Sequence, residues 1–327
     1  MRRTFFATAW LCALVIPLCT FGQPAGNVHR VGFLIAETLS GQESRANALR
    51  TGLRDLGYIE GKNIVLDIRT ADGKYEQLPK LAQELVQSKV DVLVAFGAKA
   101  VVAAKAVTTT IPIVVPSISD PVAMGLVKSL AQPGGNITGG SGLTAEEVYA
   151  KRFEALKESV PRIRTVAFLL NPTDELRSRL HTNSIQASGK RLKVEVLTVE
   201  ARSHKDFAAA FALIANKKIE GIILQQDTLF IAHHKEIADL AAKYRIPAVG
   251  NLEFGEAGAL LGYGASDAAL YRRGAYFVDR ILKGAKPAEL PVERAMKVEL
   301  MVNLRTANAL GIKLPPSILV RADKVIE

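Results

Sequence analysis

The chain has 327 residues, a length that corresponds to about two domains. Hydrophobic residues make up 49% and charged residues 23%, close to the average of globular proteins, which excludes intrinsic disorder and fibrous repeats. The formal net charge is +10, but the basic residues are scattered or lie in short pairs such as Arg272 and Arg273. Without a basic stripe interleaved with aromatic residues, we expect no nucleic-acid partner.

The first 22 residues differ from the rest of the chain. Two arginines are followed by an uncharged, largely apolar run and by small residues near Gly22, a pattern typical of a secretory signal peptide. We therefore expect residues 1–22 to direct export to the periplasm. Their removal would take away both cysteines, Cys12 and Cys19. A signal that stays uncleaved and tethers the protein to the membrane is the alternative.

Beyond this segment, continuous apolar runs alternate with segments of helical periodicity. The runs that predict strands are 30–36, 63–69, 91–96 and 112–116, and then 165–171, 193–199, 221–225, 246–250 and 297–302. Unbroken apolar strands separated by amphipathic helices indicate parallel sheets covered on both faces. The sequence therefore predicts an α/β protein with two doubly wound parallel-sheet lobes built to one plan.

Three segments around these strands carry further expectations. The spacing of apolar residues predicts a helix over about 122–130 and a single long helix over 229–244. The glycine-rich stretch 132–142 shows no core pattern and is typical of a turn and crossover.

Motifs of catalysis are missing from the sequence. It contains no nucleophile elbow, no phosphate-binding loop and no dinucleotide fingerprint after the first strand. His233 and His234 are adjacent on a predicted helix and point about 100° apart, which is unfavourable for a shared metal ion. We therefore expect a protein that is not an enzyme and that holds no cofactor or metal. A secreted α/β hydrolase is the alternative from another class.

Polar residues follow the predicted strands, where an open parallel sheet forms its ligand crevice. Many of them also precede predicted helices, whose free amides favour a carboxylate, although the same residue types are good helix caps. The candidate ligand-binding residues of this kind are Thr38, Ser40, Gly97, Ala98, Ser117, Ser119, Asp120, Asn171, Asp227 and Asn251.

Several short segments together resemble the tryptophan/tyrosine-uptake-like family of ABC-transporter substrate-binding proteins. They include GLRDLGY at 52–58, VDVLVA at 90–95, IPIV at 111–114, SDPV at 119–122, PGGNITG at 133–139, ILKG at 281–284, LPVE at 290–293 and VNL at 302–304. The resemblance covers about residues 28–327. It implies the type I periplasmic binding-protein fold, with two lobes joined by a hinge of three crossings. Lobe one would comprise 28–141 and 265–290, and lobe two 142–264 and 291–327.

The resemblance also implies a function. A small solute, amino-acid-like or a small organic acid, would bind between the lobes of a monomer and be delivered to an ABC permease. Asp120 or Asp227 would hold an ammonium group, the helix start at Gly97 would hold a carboxylate, and Tyr263 would wall the side chain or belong to the core. A sensor that reports to a membrane receptor is the alternative.

Overall fold

The computed structural model describes residues 28–295 and 297–327, so the predicted signal peptide lies outside the described residues. The strands are β1 His29–Ile35, β2 Ile64–Thr70, β3 Val92–Phe96, β4 Ile113–Ile118, β5 Ile137–Ser141, β6 Thr165–Leu170, β7 Glu195–Glu200, β8 Ile222–Leu224, β9 Ala248–Gly250, β10 Leu261–Gly264, β11 Glu293–Arg294, β12 Glu299–Asn303 and β13 Lys324–Ile326. The α-helices are α1 Glu43–Asp55, α2 Leu78–Gln87, α3 Ala98–Val107, α4 Ala145–Ser159, α5 Glu175–Leu192, α6 Phe207–Asn216, α7 Thr228–Ala232, α8 His234–Lys243, α9 Leu252–Glu256, α10 Asp267–Leu282, α11 Leu304–Leu310 and α12 Pro316–Arg321.

The strands form two sheets, which confirms the predicted α/β fold. The first has the order β11-β5-β4-β3-β1-β2 and is parallel throughout. The second has the order β13-β12-β10-β9-β8-β6-β7, in which only the β10–β12 pair is antiparallel. Strands such as β3 are buried along their whole length, because helices pack on both faces of each sheet.

The chain passes between the two sheets after β5, after β10 and between β11 and β12. The helix α10 follows β10 of the second sheet but packs against α1 and β4 of the first. Strand β11 also pairs with β5 of the first sheet, whereas the predicted boundary assigned all residues after 290 to the second lobe. Among the described residues, no helix has both the length and the apolar character needed to cross a membrane.

Two of the helix predictions are wrong in detail. Residues 122–130 form turns, since Gly125 adopts a left-handed conformation, with φ +64°, that ends the helical course. The predicted helix over 229–244 is divided into α7 and α8 at His233, whose φ of −122° departs from helical geometry.

The glycine-rich stretch is not only a crossover, because part of it forms the buried strand β5. A Cβ atom at Gly139 would lie 2.0 Å from the carbonyl oxygen of Val115 on β4, and one at Gly140 would lie 2.2 Å from that of Pro116. Only glycine allows the two backbones to approach so closely. The apolar pattern that predicted nine of the other strands is therefore missing here for a packing reason, and β10, β11 and β13 were not predicted either.

Candidate ligand-binding site

The carboxyl ends of the two sheets face each other, and the helices that begin there are in contact. A methyl group at Gly97, the residue before α3, would lie 2.3 Å from Cγ2 of Thr228, the first residue of α7. At Gly41, a methyl group would lie 2.7 Å from Cβ of Ala232 at the end of α7. The cleft between the lobes is therefore closed in this structure.

A small cavity of about 30 Å³ remains inside the closed cleft. Its volume is sufficient for one or two water molecules. The first lobe contributes Arg45, Gly97, Ala98, Ser117, Ile118, Ser119 and Tyr271 to its wall, and the second contributes Arg177, Gln226, Thr228 and Ile231. Four of the predicted residues, Gly97, Ala98, Ser117 and Ser119, thus line one cavity.

Hydrogen-bond donors dominate the polar part of this wall. Gly97 caps α3 without a side chain, so the amides of the first turn have no side-chain acceptor. Across the cavity, Arg177 is 8% exposed, and its buried Nε atom has no hydrogen-bond partner. A helix N-terminus opposite a guanidinium group favours an anion between them.

Asp227 does not line the cavity but holds Arg177 in place. Its Oδ2 atom lies 3.1 Å from Nη1 of Arg177, and its Oδ1 atom accepts hydrogen bonds from the side chain of Asn171 and the amide of Leu229. Both oxygens of the Asp227 carboxylate are therefore occupied by partners of its own lobe. These contacts do not support the predicted role of Asp227 as the acceptor for an ammonium group of the solute. Asn171 is likewise engaged, since its Oδ1 atom accepts a hydrogen bond of 2.7 Å from Thr173.

Three other predicted residues also lie outside the wall of the cavity. Thr38 and Ser40 are exposed, and the Thr38 hydroxyl accepts a hydrogen bond from the amide of Gly41. Asp120, with φ +52°, accepts a hydrogen bond of 2.9 Å from the amide of Ala145 at the start of α4. The Asp120 carboxylate thus ties the loop after β4 to the first helix beyond the crossing.

Asn251 belongs to a second contact between the lobes. Its side chain donates a hydrogen bond to Glu253, and the other oxygen of Glu253 accepts one from the amide of Asp267, the first residue of α10. Burial, with the nearby Asp267 carboxylate as the second cause, raises the pKa of Glu253 to about 7. Arg45 forms a buried ion pair with Asp267.

The raised pKa of Glu253 predicts a pH-dependent stability. The folded protein binds this proton more tightly than the unfolded chain, so the stabilisation is complete below about pH 4.5 and is lost as the pH rises through about 7. We expect Glu253→Gln to raise Tm by about 5 °C at pH ~8 and to change it little at pH ~4.5. Thermal melts of both proteins at the two pH values test this, and an equal difference at both would contradict it.

Tyr263 does not line this cavity. It borders a groove of about 800 Å³ between α4 and α5 on the second lobe and packs against that lobe's core. Its backbone carbonyl accepts a hydrogen bond from Arg152.

At the outer edge of the cleft lies a further polar group. Tyr75 donates a hydrogen bond to Glu37. The Nζ atom of Lys99, which is buried without a hydrogen-bond partner, lies 3.4 Å from the centre of the Tyr75 ring. Burial lowers the pKa of Lys99 and raises that of Glu37.

Sequence reasoning missed the two arginines of the cavity. Arg45 and Arg177 occupy the third position of α1 and α5, the helices that follow the equivalent strands β1 and β6. A cation in the first turn of a helix is unfavourable, because the positive end of the helix dipole lies there. This placement, repeated in both lobes, was the signal that could have identified them.

The fold and the site define a class of protein, a two-lobed receptor with a polar cleft between the lobes. Residues 38–326 match the family described as ABC transporter substrate binding protein, and the chain belongs to this family. A tyrosine-binding protein of Clostridioides difficile (strain R20291) is 27% identical over 262 residues, which cover 80% of this chain and 74% of the relative.

Two solved structures have a similar fold. The ABC domain from Streptococcus pneumoniae in complex with L-Trp matches with a TM-score of 0.83 and 23% identity, over 92% of this chain and 100% of the other. A conserved domain protein from Vibrio cholerae matches with a TM-score of 0.84 and 28% identity, over 91% of this chain and 100% of the other. The resemblance to this family inferred from the sequence is therefore confirmed.

Proposed function

We propose that this chain is an exported receptor that binds a small carboxylate-bearing solute between its lobes and delivers it to an ABC permease. The observation that carries the proposal is the buried Arg177, which lines a cavity next to the N-terminus of α3 and whose Nε atom has no hydrogen-bond partner. Its family and a tyrosine-binding relative support a solute receptor rather than a hydrolase.

Binding would act through the closure of the cleft. A solute stabilises the closed state only by contacts that it gains there, and Arg177 and the α3 N-terminus come from opposite lobes. The closed lobes then present a different surface to the permease from the open ones. A monomeric protein without catalytic activity suffices for this mechanism.

Thermal melts of the purified protein test the proposal. Probes are L-tyrosine, L-tryptophan and benzoate, each paired with its carboxamide, which keeps the shape and removes the negative charge. A ligand specific to the folded state adds about 2.7 kcal/mol at 100 times its Kd. We expect at least one acid to raise Tm and its amide to have no effect. Equal shifts from acid and amide, or no shift from any acid, would contradict the proposal.

A further inference from the structure

We propose that the cleft selects carboxylates without an α-ammonium group over the corresponding α-amino acids. This inference rests on the proposed function, because it concerns the class of solute that the same cleft binds. It is carried by the charges around the cavity and by the partners of the nearby acids.

The wall of the cavity contains two arginines and no acidic residue. Besides Arg45 and Arg177, its polar members are uncharged, with the hydroxyls of Ser117 and Ser119 and the amide of Gln226. A carboxylate placed among them is attracted by both guanidinium groups and by the α3 N-terminus. An ammonium group attached one carbon away finds no acidic side chain in this wall.

The acids nearest to the cavity are already occupied. Asp227 is paired with Arg177, and Asp267 is paired with Arg45, so each acid neutralises an arginine and leaves no excess negative charge. Glu37 accepts a hydrogen bond from Tyr75, and its pKa is raised by burial, which disfavours its charged form. An ammonium group would have to disrupt one of these contacts to obtain a counterion.

Asp120, which the resemblance favours as the ammonium partner, is also engaged. Its carboxylate accepts a hydrogen bond from the amide of Ala145, a residue of the other lobe. Asp120 is not among the residues that line the cavity.

A further buried cation increases the positive field on the second lobe. Arg152 is 1% exposed and donates to the backbone carbonyls of Leu224 and Tyr263, at the carboxyl ends of β8 and β10. Its Nη2 atom has no hydrogen-bond partner, and within the described residues no carboxylate forms an ion pair with it. Burial lowers the pKa of Arg152 to about 10, so the group remains charged at neutral pH. Arg152 is therefore a buried cation at these strand ends for which no ion pair is found among the described residues.

Calorimetry with matched pairs of probes tests the inference on the purified protein. Each pair differs only in the ammonium group: 3-(4-hydroxyphenyl)propanoate with L-tyrosine, and indole-3-propanoate with L-tryptophan. We expect the deaminated acid of at least one pair to bind roughly tenfold or more tightly than its amino acid. If in both pairs the amino acid bound as tightly as its deaminated partner, or more tightly, the inference would be overturned and the proposed function left intact. No binding of any carboxylate would instead count against both.

A charge substitution in the wall provides an independent test. Gln226→Glu adds a carboxylate to the cavity without changing the size of the side chain, and Gln226→Met is the matched control without charge. We expect the affinity ratio of deaminated acid to amino acid to fall about fivefold or more in Gln226→Glu and to stay near its original value in Gln226→Met. An unchanged ratio in Gln226→Glu would contradict the electrostatic basis of the selection.

Discussion

Replacing Arg177 by methionine is expected to weaken the binding of a carboxylate solute by about 100-fold, since the solute loses a charged hydrogen-bond donor in a buried site. The loss is enlarged because Asp227, which Arg177 neutralises through a contact of 3.1 Å, would remain as a buried negative charge beside the solute. Calorimetry with the acid that gives the largest thermal shift measures the change.

Three further variants separate binding from stability. Arg179→Met removes an exposed arginine from the same helix and should leave the affinity unchanged. Arg177→Lys keeps the charge but loses the planar donor group, so an intermediate affinity is expected. The double variant Arg177→Met with Asp227→Asn lacks both buried charges. Its Tm should therefore be higher than that of Arg177→Met, while its affinity for the acid stays low. If Arg177→Met bound the acid as tightly as the natural chain does, the result would contradict the assignment of the anion site to Arg177.

Gly97→Ala is expected to prevent closure of the cleft and to reduce solute affinity roughly 100-fold or more. The added methyl group would lie 2.3 Å from Cγ2 of Thr228 across the cleft, a distance that the closed state cannot accommodate. Gly97 also has φ +91° and ψ 163°, a conformation that other residues adopt only with strain of about 1–3 kcal/mol.

The substitution Thr228→Ser separates two effects of Gly97→Ala, which are the steric clash across the cleft and the backbone strain at residue 97. It removes Cγ2, after which the nearest remaining atom of residue 228 to the added methyl would be Cβ, at 3.6 Å. Since the strain belongs to the first lobe alone, it should lower Tm in Gly97→Ala with or without Thr228→Ser. Affinity should recover to within about tenfold of the natural chain only in the double variant. X-ray scattering with saturating acid should show an expanded Gly97→Ala protein and a compact double variant. Equal affinities of the single and double variants would contradict the steric account.

Local patterns predicted most of the fold. The buried runs at β1, β3 and β6 are continuous in the sequence, so their type and position follow from residues that are neighbours in the chain. β5 escaped prediction because its glycines serve a close approach to β4, which is visible only when both strands are present. The break between α7 and α8 was missed because apolar periodicity continues through it.

The candidate site was predicted less completely. Gly97, Ala98, Ser117 and Ser119 line the cavity, since the carboxyl ends of adjacent parallel strands must meet at one edge of a sheet. Asp120 and Asp227 were correctly located at that edge, but their hydrogen bonds show partners within the protein. A polar residue after a strand can cap a helix, form an ion pair within the protein or bind a ligand. These three roles have the same local sequence pattern.

Short segments read in order are sufficient to predict the fold class, the alternation of strands and helices and the family. The charges that are available to a solute become visible only after the chain has folded. Arg177 meets its partner Asp227 across 50 residues and Arg45 meets Asp267 across 222, so the pairing depends on how distant segments pack. The electrostatic character of the cleft is the balance left after these pairings, and it exists only once both lobes have folded and met.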